Sequence, residues 1–213
     1  MACTLYMQGE RRQPKVRHRK TFFHLDAYLN HSYQDLDILC ITDYTGGEEA
    51  IKRRLCEAND RFYTVPARNP RNRWNVLWWR TESSEPGFQR FKVDILVPGV
   101  MDLPYILPRY IMEIDELPCA PLDLLLFHKL KAWNDRLYVR RPDLRAKLPG
   151  DIQDIGDLLW LANWEGLDVT EGRQYITDPF REASYRRVKK FCLEYPEYAG
   201  LWIGLGLPDP AEL

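Results

Sequence analysis

Hydrophobic and polar positions follow different rhythms in the two halves of the chain. Before residue 120 the apolar side chains gather in short runs at 36–42, 74–80 and 91–97. Runs of this length that are rich in branched and aromatic residues are typical of β-strands. Helical spacing at 48–58 predicts a helix between the first two strands. The first half is therefore predicted to be a β-rich domain that contains a helix.

After residue 120 the apolar positions recur at the spacing of α-helices. Three helices are predicted, at 121–136, 151–163 and 184–194, and proline, glycine and charged residues separate them. In the first of them Leu122, Leu126 and Leu130 fall on one face. The sequence therefore predicts an α/β (α+β) protein with an α/β core at 1–118 and a helical C-terminal domain at 119–213.

Three aspartates stand in or beside the predicted strands. Side chains alternate along a strand, so Asp35 and Asp37 point to one side while Leu36 points to the core. Asp94 interrupts the apolar run at 91–97, and an acid in such a run is costly unless it is paired or bound to a metal. If the two strands are neighbours, three carboxylates converge, and they repel one another unless a cation neutralises them.

Carboxylate oxygens are ligands that Mg²⁺ prefers, and this ion takes further oxygens from substrate phosphates. Two such ions can hold the attacking and leaving oxygens of a phosphoryl or nucleotidyl transfer. We therefore predict that Asp35, Asp37 and Asp94 are catalytic residues and ligands of two Mg²⁺ ions. The alternative is that these aspartates only cap turns, because an isolated Asp-x-Asp also occurs by chance.

The first predicted helix of the second half carries two cations, Lys129 and Arg136, roughly on one face. Asp151 and Asp154 share a face of the next predicted helix. One interpretation is a salt bridge between the helices, in which Lys129 or Arg136 meets Asp154. The other is that the cations reach the oxygens of a bound triphosphate, which makes Lys129 and Arg136 candidate cofactor-binding residues.

Two basic stretches have both a structural and a functional interpretation. Six of the residues at 11–20 are Lys or Arg, which is typical of a solvated surface but also fits a nucleic-acid or nuclear-import patch. Arginines alternate with tryptophans farther along, at Arg68, Arg71, Arg73, Trp74, Trp78, Trp79 and Arg80. Such a mixture suits phosphates and nucleobases, although tryptophans on one strand face also fit the packing of a sheet.

Composition narrows the class of protein. The formal net charge is −1, so the chain as a whole does not attract nucleic acid or anionic membrane. The five cysteines are widely spaced and odd in number, which favours reduced thiols. No apolar stretch approaches the roughly 20 residues of a membrane span, and no signal peptide is apparent. We therefore expect a cytoplasmic monomer without a membrane partner, with a nuclear location as the alternative.

These motifs in combination resemble the polymerase-β-like nucleotidyltransferase superfamily, in particular its minimal branch, which includes abortive-infection toxins and related fungal proteins. The resemblance covers most of residues 35–163. It implies a nucleotidyltransferase-like mixed sheet with flanking helices, and a helical C-terminal domain that closes over a nucleoside triphosphate. It also implies roles. Asp35 and Asp37 would hold both metal ions, Asp94 would serve the catalytic ion and assist the incoming hydroxyl, and Lys129 would face phosphates or brace its helix.

The chain departs from the family before Asp35. Family members place a Gly-Ser or Gly-Gly turn at the start of a helix there, where backbone amides hold the triphosphate, whereas Gly9 is the only glycine before Asp35. We therefore expect residues 1–9 to be the rest of that helix and 15–34 to be an insertion. Either a truncated chain or a degenerate relative of the family would give this pattern, and in both cases we expect poor activity. Two functions follow. One is Mg²⁺-dependent transfer of a nucleotide to a protein, RNA or small-molecule acceptor, and the other is a non-catalytic binding module with the same fold.

Overall fold

The computed structural model describes residues 5–6, 35–40, 47–69, 71–80, 90–100, 102–114 and 117–212. The chain divides into two compact units, Met1–Ala120 and Pro121–Leu213, where the sequence predicted a boundary between 118 and 119. The basic stretch at 11–20 and the predicted insertion at 15–34 lie outside the described residues.

Unit 1 is built on a mixed five-stranded sheet with the strand order β1-β2-β5-β4-β3. β2 is parallel to β1 and to β5, whereas β4 is antiparallel to both β5 and β3. The elements are β1 (Leu5–Tyr6), β2 (Asp35–Leu39), α1 (Gly47–Ala58), β3 (Phe62–Pro66), β4 (Asn75–Arg80), β5 (Arg90–Leu96), β6 (Met112–Ile114) and β7 (Leu117–Cys119). β6 and β7 form a separate antiparallel pair.

The core of unit 1 lies between α1 and one face of this sheet. Ile38, Leu77, Val93 and Ile95 project from three adjacent strands and pack with Leu55 of α1. The alternation of side chains turns every second residue of each strand toward this core. The predicted strands at 36–42, 74–80 and 91–97 and the predicted helix at 48–58 are thus confirmed, with ends shifted along the chain.

One expectation about unit 1 was wrong, and one strand was missed. Leu5 and Tyr6 form a strand that pairs with β2, so they do not continue a helix. β3 was not predicted because its residues Thr64, Val65 and Pro66 are exposed, so the strand lacks the alternation of buried and exposed positions that indicates a half-buried strand. Its position at the edge of the sheet also accommodates Pro66.

Lys52 fastens α1 to the start of β4. Its side chain is buried, and its ammonium donates hydrogen bonds to the carbonyl oxygen of Asn75 at 2.6 Å and to Oε1 of Glu49 at 2.8 Å. Glu48 adds an ion pair at 2.5 Å. Burial lowers the pKa of the Lys52 ammonium. The hydrogen bonds and negative charges of Glu48 and Glu49 raise it by more, so the pKa of Lys52 lies above its ordinary value. Lys52 is therefore charged in the folded protein and fixes the position at which β4 begins.

Unit 2 is helical. Its elements are α2 (Leu122–Leu137), α3 (Pro142–Arg145), α4 (Leu148–Trp164), α5 (Asp178–Glu194) and α6 (Ala199–Gly204). Its core contains fully buried side chains of α2, α4, α5 and α6, among them Phe127, Trp133, Leu159, Phe191 and Trp202. The three predicted helices are confirmed as α2, α4 and α5. In the described part of the chain, no helix has the length and apolar character needed to cross a membrane.

Candidate active site

The pairing of β2 with β5 brings two of the predicted acids side by side. Asp37 is in register with Asp94, and Asp35 is in register with Lys92. In a parallel pair, residues in register lie on the same face of the sheet, with neighbouring strands about 4.8 Å apart. Asp37, Lys92 and Asp94 therefore share the face opposite the α1 core, which we call the carboxylate face. Asp35 has a backbone position on the same face, but its side chain lies outside the described residues.

The apolar residues of these strands determine which way the acids point. Ile38, Val93 and Ile95 are at most 4% exposed, and they occupy the face that packs against α1. A slip of one residue in the register of either strand would turn these side chains outward and carry an aspartate into the core. Burial of the apolar positions thus fixes Asp37 and Asp94 on the carboxylate face.

Lys92 is a charged member of this face that the sequence interpretation missed. Its ammonium donates a hydrogen bond to Oδ2 of Asp94 within an ion pair. The two side chains are 34% and 42% exposed, so solvent screens their attraction. Strand alternation was the available signal, since residues two apart on a strand share a face. The carboxylate face therefore carries a built-in cation beside Asp94.

The donor chemistry of the carboxylate face fits a hard divalent cation. Asp37 and Asp94 present carboxylates from neighbouring positions, and Mg²⁺ is bound through one or two carboxylates together with water and phosphate oxygens. Among the side chains that the structure describes, no group of three or more His, Cys, Asp or Glu is arranged to hold a metal ion. The described side chains thus support a site with two carboxylates, Asp37 and Asp94. Asp35 lies two positions before Asp37 on β2.

Lys129 and Arg136 have partners within unit 2. Lys129 forms an ion pair with Oδ2 of Asp154 at 2.5 Å, and Arg136 donates a hydrogen bond to Oδ1 of Asp151. Both pairs join α2 to α4. The salt-bridge interpretation, in which Lys129 or Arg136 meets Asp154, is confirmed by Lys129, and Arg136 forms a second bridge with Asp151. The binding of triphosphate by Lys129 and Arg136 stays a prediction.

Asp123 is a buried acid in unit 2 that the sequence interpretation did not single out. Its side chain is 2% exposed. The hydroxyl of Tyr175 donates to it at 2.8 Å, the amide of Leu124 donates at 2.8 Å, and Nε of Arg173 lies 3.2 Å from Oδ2. Burial raises the pKa of the Asp123 carboxyl, and the hydrogen bonds and the guanidinium only partly oppose that rise. The network joins α2 to the segment that precedes α5.

We expect Asp123 to make a pH-dependent contribution to stability. Because the pKa of Asp123 is raised in the folded protein, its contribution is complete below the unfolded-state pKa of about 3.9 and is lost as the pH rises through the folded-state value. The amide side chain of an Asp123→Asn variant does not titrate. The free energy of unfolding of the wild type minus that of the variant should therefore fall as the pH rises from acid to neutral, as measured by urea unfolding. A difference that rises with pH would contradict this expectation.

Comparison with known proteins gives a likeness of fold. No family model and no curated protein matches the chain. The fold is similar to that in the crystal structure of an antigenic nucleotidyltransferase-like protein from Paracoccidioides brasiliensis, with a TM-score of 0.52. The two proteins are 12% identical, and the match covers 79% of this chain and 73% of the other. The predicted nucleotidyltransferase-like fold is therefore confirmed, while assignment to the minimal branch stays a prediction.

Proposed function

We propose that this protein is a Mg²⁺-dependent nucleotidyltransferase, which transfers a nucleotide from a nucleoside triphosphate to an acceptor hydroxyl. The observation that carries the proposal is the register that sets Asp37 beside Asp94 on adjacent parallel strands, with Asp35 two positions away on β2. The nucleotidyltransferase-like fold supports it. The core against α1 does not require these acids, because Ile38, Val93 and Ile95 of the same strands fill it from the opposite face.

Each residue of the carboxylate face has a role in this proposal. Asp35, Asp37 and Asp94 would hold Mg²⁺, which when bound neutralises phosphate charge and orients the substrate. Asp94 is partly exposed, so its carboxylate is accessible to an acceptor hydroxyl and can take its proton. The ammonium of Lys92 holds one oxygen of Asp94, which leaves the other oxygen for that task.

The ion pair between Lys92 and Asp94 also favours a second candidate function. Lys92 neutralises one carboxylate without a metal ion, so a protein that has lost catalysis could keep this face as part of a binding module. The two functions differ in a measurable property. An enzyme requires a divalent cation on the carboxylate face, whereas the binding module does not.

The test of the proposal is transfer from α-labelled nucleoside triphosphates by the full chain. Reactions contain Mg²⁺ or Mn²⁺ and either RNA, protein or small hydroxyl compounds as acceptors, and binding of Mn²⁺ is measured separately by calorimetry. We expect Mn²⁺ to bind and label to reach one acceptor class in a metal-dependent reaction. An Asp60→Asn variant, altered in an exposed turn of the same unit, serves as the control. If the protein neither binds Mn²⁺ nor transfers label, the enzyme proposal fails and the binding module is the function that remains.

Replacing Lys92 with methionine should strengthen metal binding. The ammonium of Lys92 competes for Asp94 and repels a nearby divalent ion, an interaction of about 1 kcal/mol at this partly exposed position, or about fivefold in affinity. Calorimetry with Mn²⁺ measures the change. Lys131→Met is the matched control, because Lys131 pairs with Asp135 in unit 2 at 2.6 Å. Unchanged or weaker binding in Lys92→Met would show that the metal does not meet Asp94.

A further inference from the structure

The loop at 67–74, between β3 and β4, is a basic and aromatic surface. It contains three arginines and no acidic residue, in a chain whose formal net charge is −1. Arg68, Arg71 and Arg73 are exposed, and the side chain of Trp74 is 52% exposed. Packing accounts for Trp79, because the centroids of its ring and the ring of Phe62 lie 4.5 Å apart. Packing does not account for Trp74, which is largely exposed.

The loop lies at the end of the sheet where β5 ends, two residues beyond Asp94. β4 is antiparallel to β5, and Leu77 is in register with Val93. The start of β4, and Trp74 before it, is therefore at the same end of the sheet as the C-terminal ends of β5 and its parallel neighbour β2. At about 3.4 Å per residue and about 4.8 Å between strands, the backbone of Trp74 lies on the order of 8 Å from that of Asp94.

Hydrogen bonds join the described residues at the base and the tip of this short loop. The amide of Ala67 donates to the carbonyl oxygen of Trp74 at 3.3 Å and so closes the loop at its base. Asn69 organises the tip, because its side-chain oxygen accepts from the amide of Arg71 at 3.0 Å. Lys52 anchors the following residue, Asn75. A ligand that binds these residues meets an ordered backbone, which lowers the conformational entropy that binding costs.

The chemistry of the loop matches a polynucleotide strand. Guanidinium groups bind phosphates, and an exposed indole face stacks with a nucleobase. Cations that are spread along a loop suit a series of phosphates, whereas a compact triphosphate would be placed by the carboxylate face. Charge complementarity and the exposed ring together favour single-stranded nucleic acid over an acidic peptide, which has no base to stack.

We propose that loop 67–74 binds a single-stranded nucleic acid such as RNA and brings its terminal hydroxyl to the carboxylate face. The assignment of that RNA as the acceptor rests on the proposed nucleotidyltransferase function, whereas the binding itself does not. Arg68, Arg71 and Arg73 contact phosphates, and Trp74 stacks with a base. The loop thus determines which acceptor class reaches Asp94.

The test measures binding of a fluorescent single-stranded RNA by anisotropy in the presence of a chelator. Arg68→Gln, Arg71→Gln and Arg73→Gln in one variant should weaken binding at least about tenfold and should reduce the salt slope by about 2, since each lost phosphate contact removes about 0.7. The matched control replaces three exposed arginines of unit 2, Arg140, Arg145 and Arg186, with glutamine. It removes the same charge and should leave binding nearly unchanged.

Trp74→Ala separates a nucleic acid from other polyanions. It should weaken RNA binding about tenfold through the loss of one stacked base, and it should leave binding of inorganic polyphosphate unchanged. Equal effects on both ligands, or no effect on RNA, would overturn the assignment to nucleic acid. Equal affinities of the two triple variants would overturn the role of the loop.

The same variants distinguish this inference from the proposed function. If the loop variants lose RNA binding and the wild type transfers no label, the binding surface stands and the enzyme assignment fails. If the wild type transfers label to another acceptor while the loop variants bind RNA like the wild type, the loop assignment fails and the enzyme assignment stands.

Discussion

Replacing Asp37 with asparagine is expected to lower metal-dependent nucleotidyl transfer by at least about 10³-fold. A metal ion supplies several kcal/mol of transition-state stabilisation, and each 1.36 kcal/mol corresponds to a tenfold change in rate. Asparagine has nearly the same shape as aspartate, so the register of Asp37 with Asp94 should persist. Label transfer and Mn²⁺ calorimetry measure the two losses, and Asp94→Asn should lose both in the same way.

The control for this experiment is Asp60→Asn, which removes one carboxylate of unit 1 from an exposed turn. It should keep full metal affinity and full activity. Thermal unfolding of all variants shows that the fold is retained. If Asp37→Asn binds Mn²⁺ and transfers label as well as Asp60→Asn does, the carboxylate face is not the active site.

Replacing Arg136 with alanine is expected to destabilise unit 2 by about 3 kcal/mol. Arg136 is the partner of Asp151, whose side chain is 5% exposed and whose Oδ2 is buried without a hydrogen bond among the described residues. Removal of one member of a buried ion pair costs about 3–5 kcal/mol because the remaining charge is buried and uncompensated, and the partial exposure of Arg136 brings the estimate to the lower end. Urea unfolding measures the change.

A matched ion pair on the surface provides the control. Arg141 pairs with Asp143, and these side chains are 68% and 61% exposed. Solvent screens such a pair, so Arg141→Ala should leave the free energy of unfolding nearly unchanged. Nucleoside triphosphate binding by both variants decides between the two interpretations of Arg136. Unchanged stability together with lost triphosphate affinity in Arg136→Ala would make Arg136 a ligand of the phosphates.

The sequence was informative where burial alone determines the structure. The apolar runs around Ile38 and Val93 predicted β2 and β5, because short runs of branched residues are typical of strands that bury side chains. Val93 and Ile95 of β5 are buried on alternate positions, whereas Ile38 and Leu39 of β2 are consecutive and both buried. β3 was missed because its exposed residues follow no such pattern and its pairing with β4 supplies the stabilisation. α5 begins at Asp178, ahead of the predicted start at 184, because Pro179 is favourable in the first turn of a helix and the apolar pattern alone does not reveal it.

The sequence predicted the acidic residues of the candidate site, but not the register or the side-chain contacts between them. Alternation assigned Asp37 and Asp94 each to one face of its strand. The register that sets them side by side on the same face depends on packing against α1. Lys92 follows the same alternation, yet its ion pair with Asp94 requires the conformations of both side chains. The sequence predicted that Lys129 or Arg136 meets Asp154, and it is Lys129 that does so. The choice between the two cations, and the pairing of Arg136 with Asp151, could not be predicted, because helical periodicity gives a face and not the relative height of two packed helices.

The parallel pairing of β2 with β5 also has a consequence for the order of folding. Contacts within the β3 and β4 hairpin join nearby parts of the chain, whereas β2 and β5 are separated by α1 and the whole of that hairpin. Contacts between distant segments form slowly because they close a long loop of chain. We therefore expect Asp37 and Asp94 to meet late, after the local elements between them have formed, so that a partly folded chain does not bind a cation at this place. Metal binding would thus report completion of the sheet, and a ligand that binds only the native state would stabilise that last step.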